Sequence, residues 1–282
     1  MKPTTRITLI SLSVSLGGFL FGFDASVISG VIKYITPLYD LNEVQLGWVV
    51  SSPAFSAMFA MLISGRLSDR YGRKNILIVI AFLYALSALL SAVTPSANLL
   101  IIARMLGGIA FGGALVLAPV YIAEIAPPAA RGRMVSIQQL NIVLGFSVAY
   151  FSNYLLLKNA SSDDLIFQTE VWRVMLGIEF FPAIIYFFVL FLIPKSPRWL
   201  YMQGKREDSK SILKQLFGKD ESLQQFSAIE ESLASEQDVQ KKSGIKELFA
   251  NKNLHAILWI AFVLGRGAKG CMFPWAAWET QV

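Results

Sequence analysis

The fold is decided by the stretch Gly65-Arg66-Leu67-Ser68-Asp69-Arg70-Tyr71-Gly72-Arg73-Lys74. Apolar segments flank it on both sides, so it predicts a tight turn between two membrane-spanning helices, with a glycine at each shoulder. Asp69 stands among four cations near the end of the first helix, where the helix dipole is already negative. A carboxylate there is unfavourable unless arginines compensate it, and a compensated charge can act as a latch. Ordinary anchoring of cations at the inner membrane surface would explain the arginines, but neither Asp69 nor the glycine spacing.

Composition agrees with a membrane protein. The 282 residues are 55% hydrophobic and 16% charged, with a mean hydropathy of +0.54, whereas soluble domains average about 25% charged residues. A single histidine, His255, and a single cysteine, Cys271, exclude an intrachain disulfide, a Cys/His zinc site and a Ser-His-Asp triad. The net charge of +6 is scattered between apolar runs rather than clustered. We therefore expect no enzyme, no cofactor, no metal and no nucleic-acid partner.

Six segments are long enough to cross a bilayer, whose core of about 30 Å needs roughly 20 apolar residues in helical form. The first follows Lys2 and Arg6, but it is too long for a signal peptide and no small-x-small cleavage site follows it. The six predicted spans are Ile7–Ile32, Leu46–Gly65, Ile76–Val93, Leu99–Ala123, Val135–Leu157 and Trp172–Ile193.

The cations between the spans predict the orientation. With the N-terminus in the cytosol, the inner segments hold Lys2, Arg6, Arg66, Arg70, Arg73, Lys74, Arg131 and Arg133. The outer loops then hold Lys33, Lys158 and Arg173. Because cytoplasmic loops carry the excess of cations, we expect a multi-pass protein of the cell membrane with a cytoplasmic N-terminus.

After the sixth span the chain becomes rich in charged residues. We therefore divide it into a bundle at 1–194, a cytoplasmic linker at 195–252 and a tail at 253–282. The linker carries apolar residues at helical spacing, which predicts short amphipathic helices, with a solvated disordered linker as the alternative. The tail begins like a seventh span, but the apolar run Leu254–Leu264 is too short to cross. The linker stripes are Ile212, Leu213, Leu216 and Phe217, closed by Gly218; Leu223, Phe226, Ile229 and Leu233; and Ile245, Leu248 and Phe249.

Several motifs together resemble the sugar porter family of the major facilitator superfamily, closest to its bacterial proton–sugar symporters. The resemblance covers about residues 7–264 and implies an all-α fold, a six-helix bundle equivalent to the N-terminal half of such a transporter. Two features depart from the family: Lys195 stands where a Glu is usual, and the second half, spans seven to twelve, is missing. The motifs are the decamer, Gly18-Phe19-Leu20-Phe21-Gly22-Phe23-Asp24, Arg104-Met105-Leu106-Gly107-Gly108, Pro119-Val120-Tyr121-Ile122-Ala123-Glu124, Arg131-Gly132-Arg133 and Pro194-Lys195-Ser196-Pro197-Arg198-Trp199-Leu200.

Asp24 and Arg104 are the candidate proton-coupling pair. Asp24 lies about 12 Å from the outer end of span one and Arg104 about 8 Å into span four, at 1.5 Å per residue. In a half built from two inverted three-helix repeats, spans one and four are equivalent and line the cavity. Pairing with Arg104 favours an ionised Asp24, and a dry cavity favours the neutral acid, so Asp24 can alternate as a proton carrier. The alternative is a static ion pair; the resemblance favours coupling, because facilitative relatives generally carry Asn here.

Other candidates follow from the resemblance. Glu179, inside span six, matches a symporter Glu that tunes the coupling pair, although a structural hydrogen bond to a neighbouring helix is at least as strong an alternative. Gln139 maps to a sugar-contacting Gln, and Phe21 to a residue whose ring borders the sugar. Gln138 is a second sugar-binding candidate, which we expect to face the neighbouring helix instead. Phe146 stands where the xylose symporter carries another Gln, which argues against xylose itself.

Charged residues at the inner ends of the spans predict a cytoplasmic gate. Exposed ion pairs contribute only about 0–1 kcal/mol each, so such a gate needs a network or partial burial. In the family this network binds matching motifs of the second half. The predicted gate residues are Asp69, Arg70, Arg73, Glu124, Arg131 and Arg198.

The predicted function is proton-coupled symport of a monosaccharide, with the sugar, protons and the lipid bilayer as partners. A facilitative sugar uniporter and a non-transporting fragment or sugar sensor are the alternatives. Because alternating access rocks two halves around a site between them, we expect that these 282 residues do not transport sugar unaided.

Overall fold

The described part of the chain, residues 3–160, 165–166 and 169–242 of this computed structural model, is almost wholly α-helical. The helices are α1 Pro3–Leu38, α2 Glu43–Tyr71, α3 Arg73–Val93, α4 Ala97–Ile125, α5 Arg131–Asn159, α6 Val171–Gly177, α7 Phe180–Leu192, α8 Pro197–Met202, α9 Arg206–Phe217 and α10 Lys219–Lys242. A 3₁₀ turn, Pro128–Ala130, precedes α5, and two-residue strands, β1 Leu165–Ile166 and β2 Thr169–Glu170, pair antiparallel before α6.

Within these residues, six helical segments are long and apolar enough to cross a membrane, which confirms the predicted all-α, six-span fold. The first five extend beyond the predicted spans at one or both ends, because the helices continue past the apolar core, whereas the sixth is shifted by one residue. Many large apolar side chains on their outer faces are exposed, such as Leu62, Phe188 and Leu192, as a lipid-facing surface requires. The segments are Thr5–Leu38, Glu43–Tyr71, Arg73–Val93, Ala97–Ile125, Pro128–Asn159 and Val171–Leu192.

Two close helix pairs build the bundle, α1 with α5 and α2 with α4. A Cβ atom at Gly22 would overlap the carbonyl of Ile142 on α5, and one at Gly108 would overlap the carbonyl of Pro53 on α2. Glycine therefore permits backbone-to-backbone approach at both crossings. Exchanging α1 with α4 and α2 with α5 turns one pair into the other, as two inverted three-helix repeats require.

Span six is broken, although its apolar pattern predicted one continuous helix. In place of one helix over 172–193, α6 ends at Gly177 and α7 begins at Phe180. Pro182 has no N–H to donate to the carbonyl of Ile178, so the regular ladder cannot continue there. Glu179 lies in the break.

The turn between α2 and α3 is a single residue, Gly72, with φ of 91°. Only glycine adopts this left-handed conformation without strain. The turn therefore places Arg73 at the first position of α3, directly after α2. At the opposite end, Tyr39 donates a hydrogen bond of 3.2 Å to the carbonyl of Thr94, and burial raises the pKa of this tyrosine.

The linker forms helices where the structure describes it. The first predicted stripe lies on α9, where Leu213, Leu216 and Phe217 are buried and Gly218, with φ of 85°, follows the last residue. The second stripe lies on α10, and α8 was not predicted. The third stripe and the tail at 253–282 lie outside the described residues.

The chain divides into two compact units after Phe226. The first unit contains the membrane helices together with α8, α9 and the beginning of α10. Of the second unit, the structure describes the remainder of α10, to Lys242. The predicted boundaries at 194 and 252 stay predictions.

Candidate functional site

Asp24 on α1 and Arg104 on α4 meet inside the bundle. Arg104 Nη1 lies 3.2 Å from Asp24 Oδ1, and Arg104 Nε donates a hydrogen bond of 3.1 Å to the carbonyl of Val49 on α2. Arg104 is 2% exposed and Asp24 is 8% exposed. One guanidinium thus joins three helices at a point where water has little access, and such buried ionisable groups need partners.

Glu179 is a second carboxyl group near this pair. It is buried in the break between α6 and α7, close enough to Asp24 and Arg104 to interact with their charges. None of the hydrogen bonds among the described residues joins Glu179 to Arg104. The set therefore has one cation and two carboxyl groups, so a single bound proton would make it neutral.

Phe21 on α1 contacts aromatic rings of two other helices. The ring of Phe21, one helical turn before Asp24, lies 4.8 Å from that of Phe111 and 6.3 Å from that of Phe146, measured between centroids. Gln139 precedes Phe146 by seven residues, so both lie on one face of α5, about 10 Å apart along its axis. Gln139 is exposed. This face of the first unit thus offers an amide and a ring at a separation that suits a small polar ligand.

Gln138 has a different environment from its neighbour. Its side chain is buried against α1, where a Cβ atom at Gly18 would lie 3.1 Å from its Cγ. Its Oε1 accepts no hydrogen bond from the described residues. Its assignment to a sugar site stays a prediction, as does that of Gln139.

At the inner end, Arg73 joins two carboxylates from different helices. Its Nη2 lies 2.8 Å from Asp69 Oδ1 on α2, and its Nε lies 3.0 Å from Glu124 Oε1 on α4. Its Nη1 also donates to the carbonyl of Ser68 at 3.2 Å. Arg73 and Glu124 are buried, whereas the Asp69 side chain is 57% exposed. Arg73 thereby compensates the carboxylate at the end of α2.

The remaining gate candidates differ in their placement. Arg198 interacts electrostatically with Glu124 and so belongs to this inner cluster. Arg70 and Arg131 are exposed, and the guanidinium of Arg70 stacks on Tyr71 at 5.3 Å. The structure therefore brings together four of the six predicted residues: Asp69, Arg73, Glu124 and Arg198.

Trp199 is a structural contributor that sequence reasoning missed. Its Nε1 donates a hydrogen bond of 2.9 Å to the carbonyl of Asp69, and its ring packs beneath Gly72, where a Cβ atom would lie 3.2 Å from it. The aromatic residue in the Pro-Lys-Ser-Pro-Arg-Trp motif and the side-chain-free Gly72 were the available signals. Trp199 thus holds the turn that orients Arg73.

Lys195, the charge reversal noted in the sequence, does not join the inner cluster by any ion pair within the described residues. It lies near enough to Lys74 for the two charges to repel. Lys74 Nζ instead donates to the carbonyl of Phe191 at 2.8 Å, near the end of α7. Among the described residues, no group of three His, Cys, Asp or Glu side chains is placed to hold a metal ion.

Known proteins similar to this chain are transporters. Residues 10–273 match the family described as "Sugar (and other) transporter". The arabinose-proton symporter of Bacillus subtilis is 40% identical over 83% of this chain and 52% of its own length. The major myo-inositol transporter IolT of the same species is 35% identical over 83% of this chain and 49% of its own length.

A solved structure has a similar fold. The xylose transporter XylE from E. coli, in a partially occluded inward open conformation, superposes with a TM-score of 0.77 at 32% identity. The superposition covers 83% of this chain and 60% of that chain. The chain spans about half the length of the curated relatives that it matches.

Proposed function

Because this chain belongs to the sugar (and other) transporter family, we propose that it forms the first half of a proton-coupled monosaccharide symporter. The members and neighbours described above are transporters rather than enzymes, and the likeness to the xylose transporter confirms the predicted fold. The arabinose-proton symporter is the relative whose name supports coupling to protons and a monosaccharide substrate.

The observation that carries the proposal is the buried ion pair of Asp24 and Arg104. Asp24 is the proton carrier in this proposal, because its buried carboxylate has a single cation, Arg104, as its ion-pair partner among the described residues. Glu179 supplies a second carboxyl group close to both charges. A proton that binds to this set cancels its excess negative charge and so eases movement through a low-dielectric cavity.

Sugar binds next to this set in the proposal, at the open face that carries Gln139 and Phe21. A sugar hydroxyl both donates and accepts hydrogen bonds, and an amide can satisfy both. The aromatic ring supplies an apolar surface beside the amide. Proton and sugar then occupy neighbouring positions on α1 and α5, so binding of one can influence the other.

The inner cluster of Asp69, Arg73, Glu124 and Arg198 closes the cytoplasmic side in this proposal. Its members hold the ends of α2, α3 and α4 together in the present arrangement. The cation distribution supports a cytoplasmic N-terminus in the cell membrane. Alternating access then exposes the site to each side in turn, as in transporters built from repeats.

The proposal is tested in a chimera that joins residues 1–226 to the second half of the Bacillus subtilis arabinose-proton symporter. We expect the chimera to accumulate arabinose in proteoliposomes when a pH gradient is imposed. Asp24→Asn should abolish accumulation and leave exchange of arabinose down its gradient measurable. The matched control is Asp40→Asn, because Asp40 is exposed and its φ of 48° suits asparagine equally well.

Two results would contradict the proposal. A chimera that reaches the membrane but moves no arabinose would deny residues 1–226 a transporting role. Undiminished accumulation by Asp24→Asn would indicate a static ion pair and uniport. For the sugar site, Gln139→Ala should weaken arabinose binding by about 1–3 kcal/mol, and more than Gln138→Ala does; equal effects would remove Gln139 from the site.

A further inference from the structure

A long apolar cleft opens on the side of the bundle between α2 and α3, with α4 as its floor. Its volume is about 360 Å³. Two hydroxyl groups line it, but both are already engaged: Ser56 donates to the carbonyl of Met105 at 2.8 Å, and Ser64 donates to the carbonyl of Ala60. The cleft therefore suits hydrocarbon rather than a polar solute. Its walls include Phe59, Ile63, Leu67, Val79, Leu83 and Ile109.

The length of the cleft matches one leaflet of a membrane. Along α2 it runs from Phe55 to Leu67, twelve residues or about 18 Å at 1.5 Å per residue. One leaflet is half of a hydrocarbon core of about 30 Å. The cleft can thus accept an extended chain that reaches from one membrane surface to near the bilayer centre.

Two arginines stand in line with the end of the cleft. Arg66 follows Phe59 by seven residues, and Arg70 follows Ile63 by seven, so both continue the helix face that forms the wall. Both are exposed, and neither is paired with a carboxylate in the part of the chain that the structure describes. Asp69, which lies between them in sequence, is bound to Arg73 at 2.8 Å. The cleft thus leads to two available cations at the membrane surface.

We infer that this cleft binds an anionic phospholipid, with one acyl chain along α2 and the phosphate at Arg66 and Arg70. A hydrocarbon chain fits the apolar walls, and the headgroup fits the cations that follow them. Asp24, Arg104 and Glu179 are not among the residues that line the cleft, and the inference does not depend on the proposed transport function. It gives the chain a preference for anionic over zwitterionic lipid in the leaflet at its Arg66 end.

Native mass spectrometry of the purified 282-residue chain tests the headgroup contact. The chain is mixed with equimolar dioleoyl phosphatidylglycerol and dioleoyl phosphatidylcholine, and the lipid retained per protein is counted. We expect one preferentially retained phosphatidylglycerol. Since a cation near an anionic surface contributes about 1 kcal/mol, Arg66→Gln and Arg70→Gln should each reduce this preference about 5-fold. The control, Arg131→Gln with Arg133→Gln, removes two exposed arginines elsewhere and should leave the preference unchanged.

The acyl-chain contact has its own variants. Ala60→Phe fills the cleft from its wall, and Val79→Trp fills it from an exposed position on α3 that does not disturb packing. Both should lose the retained lipid of either headgroup, whereas Leu62→Phe, on an exposed face of α2 outside the cleft, should keep it. Retention of phosphatidylglycerol by Val79→Trp would overturn the inference. So would an equal loss in the Arg131/Arg133 control, or a self-association of the chain in place of lipid binding.

Discussion

Two arginines, Arg104 and Arg73, hold the bundle at different depths, and their carboxyl partners differ in number and exposure. Arg104 forms one ion pair, with Asp24, and its Nε donates a hydrogen bond to the backbone carbonyl of Val49. Arg73 forms two ion pairs, with Asp69 and Glu124. The coupling set of Asp24, Arg104 and Glu179 therefore has a surplus carboxyl group, whereas Arg73 and Arg198 balance the two carboxylates of the inner cluster.

This difference in charge balance is the reason why we propose proton exchange for the first set and a role in holding helices together for the inner cluster. Under the proposed function, the coupling set alternates between a deprotonated form and a neutral form that holds one bound proton. The inner cluster is neutral with no proton bound, and a proton would unbalance it. Two clusters built from the same residue types are therefore suited to different tasks.

The largest expected effect comes from removing each arginine. Arg104→Gln leaves two buried carboxyl groups without a cation, and the loss of one partner of a buried pair costs about 3–5 kcal/mol. Arg73→Gln should cost less, about 1–3 kcal/mol, because Asp69 is 57% exposed and Arg198 stays beside Glu124. Both losses are measured as changes in the free energy of unfolding of the purified chain. The chain is titrated with sodium dodecyl sulfate and unfolding is followed by circular dichroism. A larger loss of free energy of unfolding for Arg73→Gln than for Arg104→Gln would contradict this expectation.

A sharper test makes the same substitution in both clusters. Glu124→Gln leaves two arginines with one exposed carboxylate and should lower the free energy of unfolding by about 1–3 kcal/mol. Glu179→Gln leaves the neutral pair of Asp24 and Arg104 intact, so its cost should be smaller than that of Glu124→Gln. Equal losses in the same titration would mean that Glu179 is fixed by an ion pair rather than neutralised by a proton.

The sequence predicted the contact between Asp24 and Arg104 better than it predicted the membership of the inner cluster. Asp24 and Arg104 lie in long apolar helices, where the depth of a residue follows from counting, and two opposite charges at similar depth attract. The position of Glu179 depended on the break in span six. Gly177 and Pro182 were visible in the sequence, but the pattern of apolar residues continued across them and predicted one helix.

The inner cluster depends on a turn of one residue, and this is why its membership could not be predicted. Arg70 and Arg73 have the same chemistry and nearly the same position in the chain. Gly72, with its left-handed backbone, aims Arg73 into the bundle and leaves Arg70 exposed. Trp199, which supports the turn, comes from a segment about 130 residues away, so its contact is a tertiary effect that local patterns do not contain. The six spans, by contrast, follow from hydrophobicity and length alone.

The smallest expected effect is that of Asp69→Asn, and its dependence on salt distinguishes the two clusters. Asp69 pairs with Arg73 four residues later, and because the Asp69 carboxylate is 57% exposed, we expect the pair to contribute about as much as a surface pair, about 0–1 kcal/mol. Asparagine keeps an oxygen that can accept a hydrogen bond from Arg73, so the loss of free energy of unfolding should be near the lower end of this range. At an ionic strength of about 1 M the screening length falls to about 3 Å, and the small difference from the wild-type chain should vanish.

Asp24→Asn in the same titration is the matched comparison, since it replaces a carboxylate that is only 8% exposed. Mobile ions have little access to it, so whatever change it causes should persist at high salt, because buried pairs are screened much less than exposed ones. Measuring both variants at about 0.1 M and about 1 M salt gives four free energies of unfolding. If the loss of free energy of unfolding for Asp69→Asn does not change with salt, then mobile ions do not screen the Asp69 carboxylate. The inner cluster would in that case be as poorly accessible to ions as the coupling set, which would contradict the comparison.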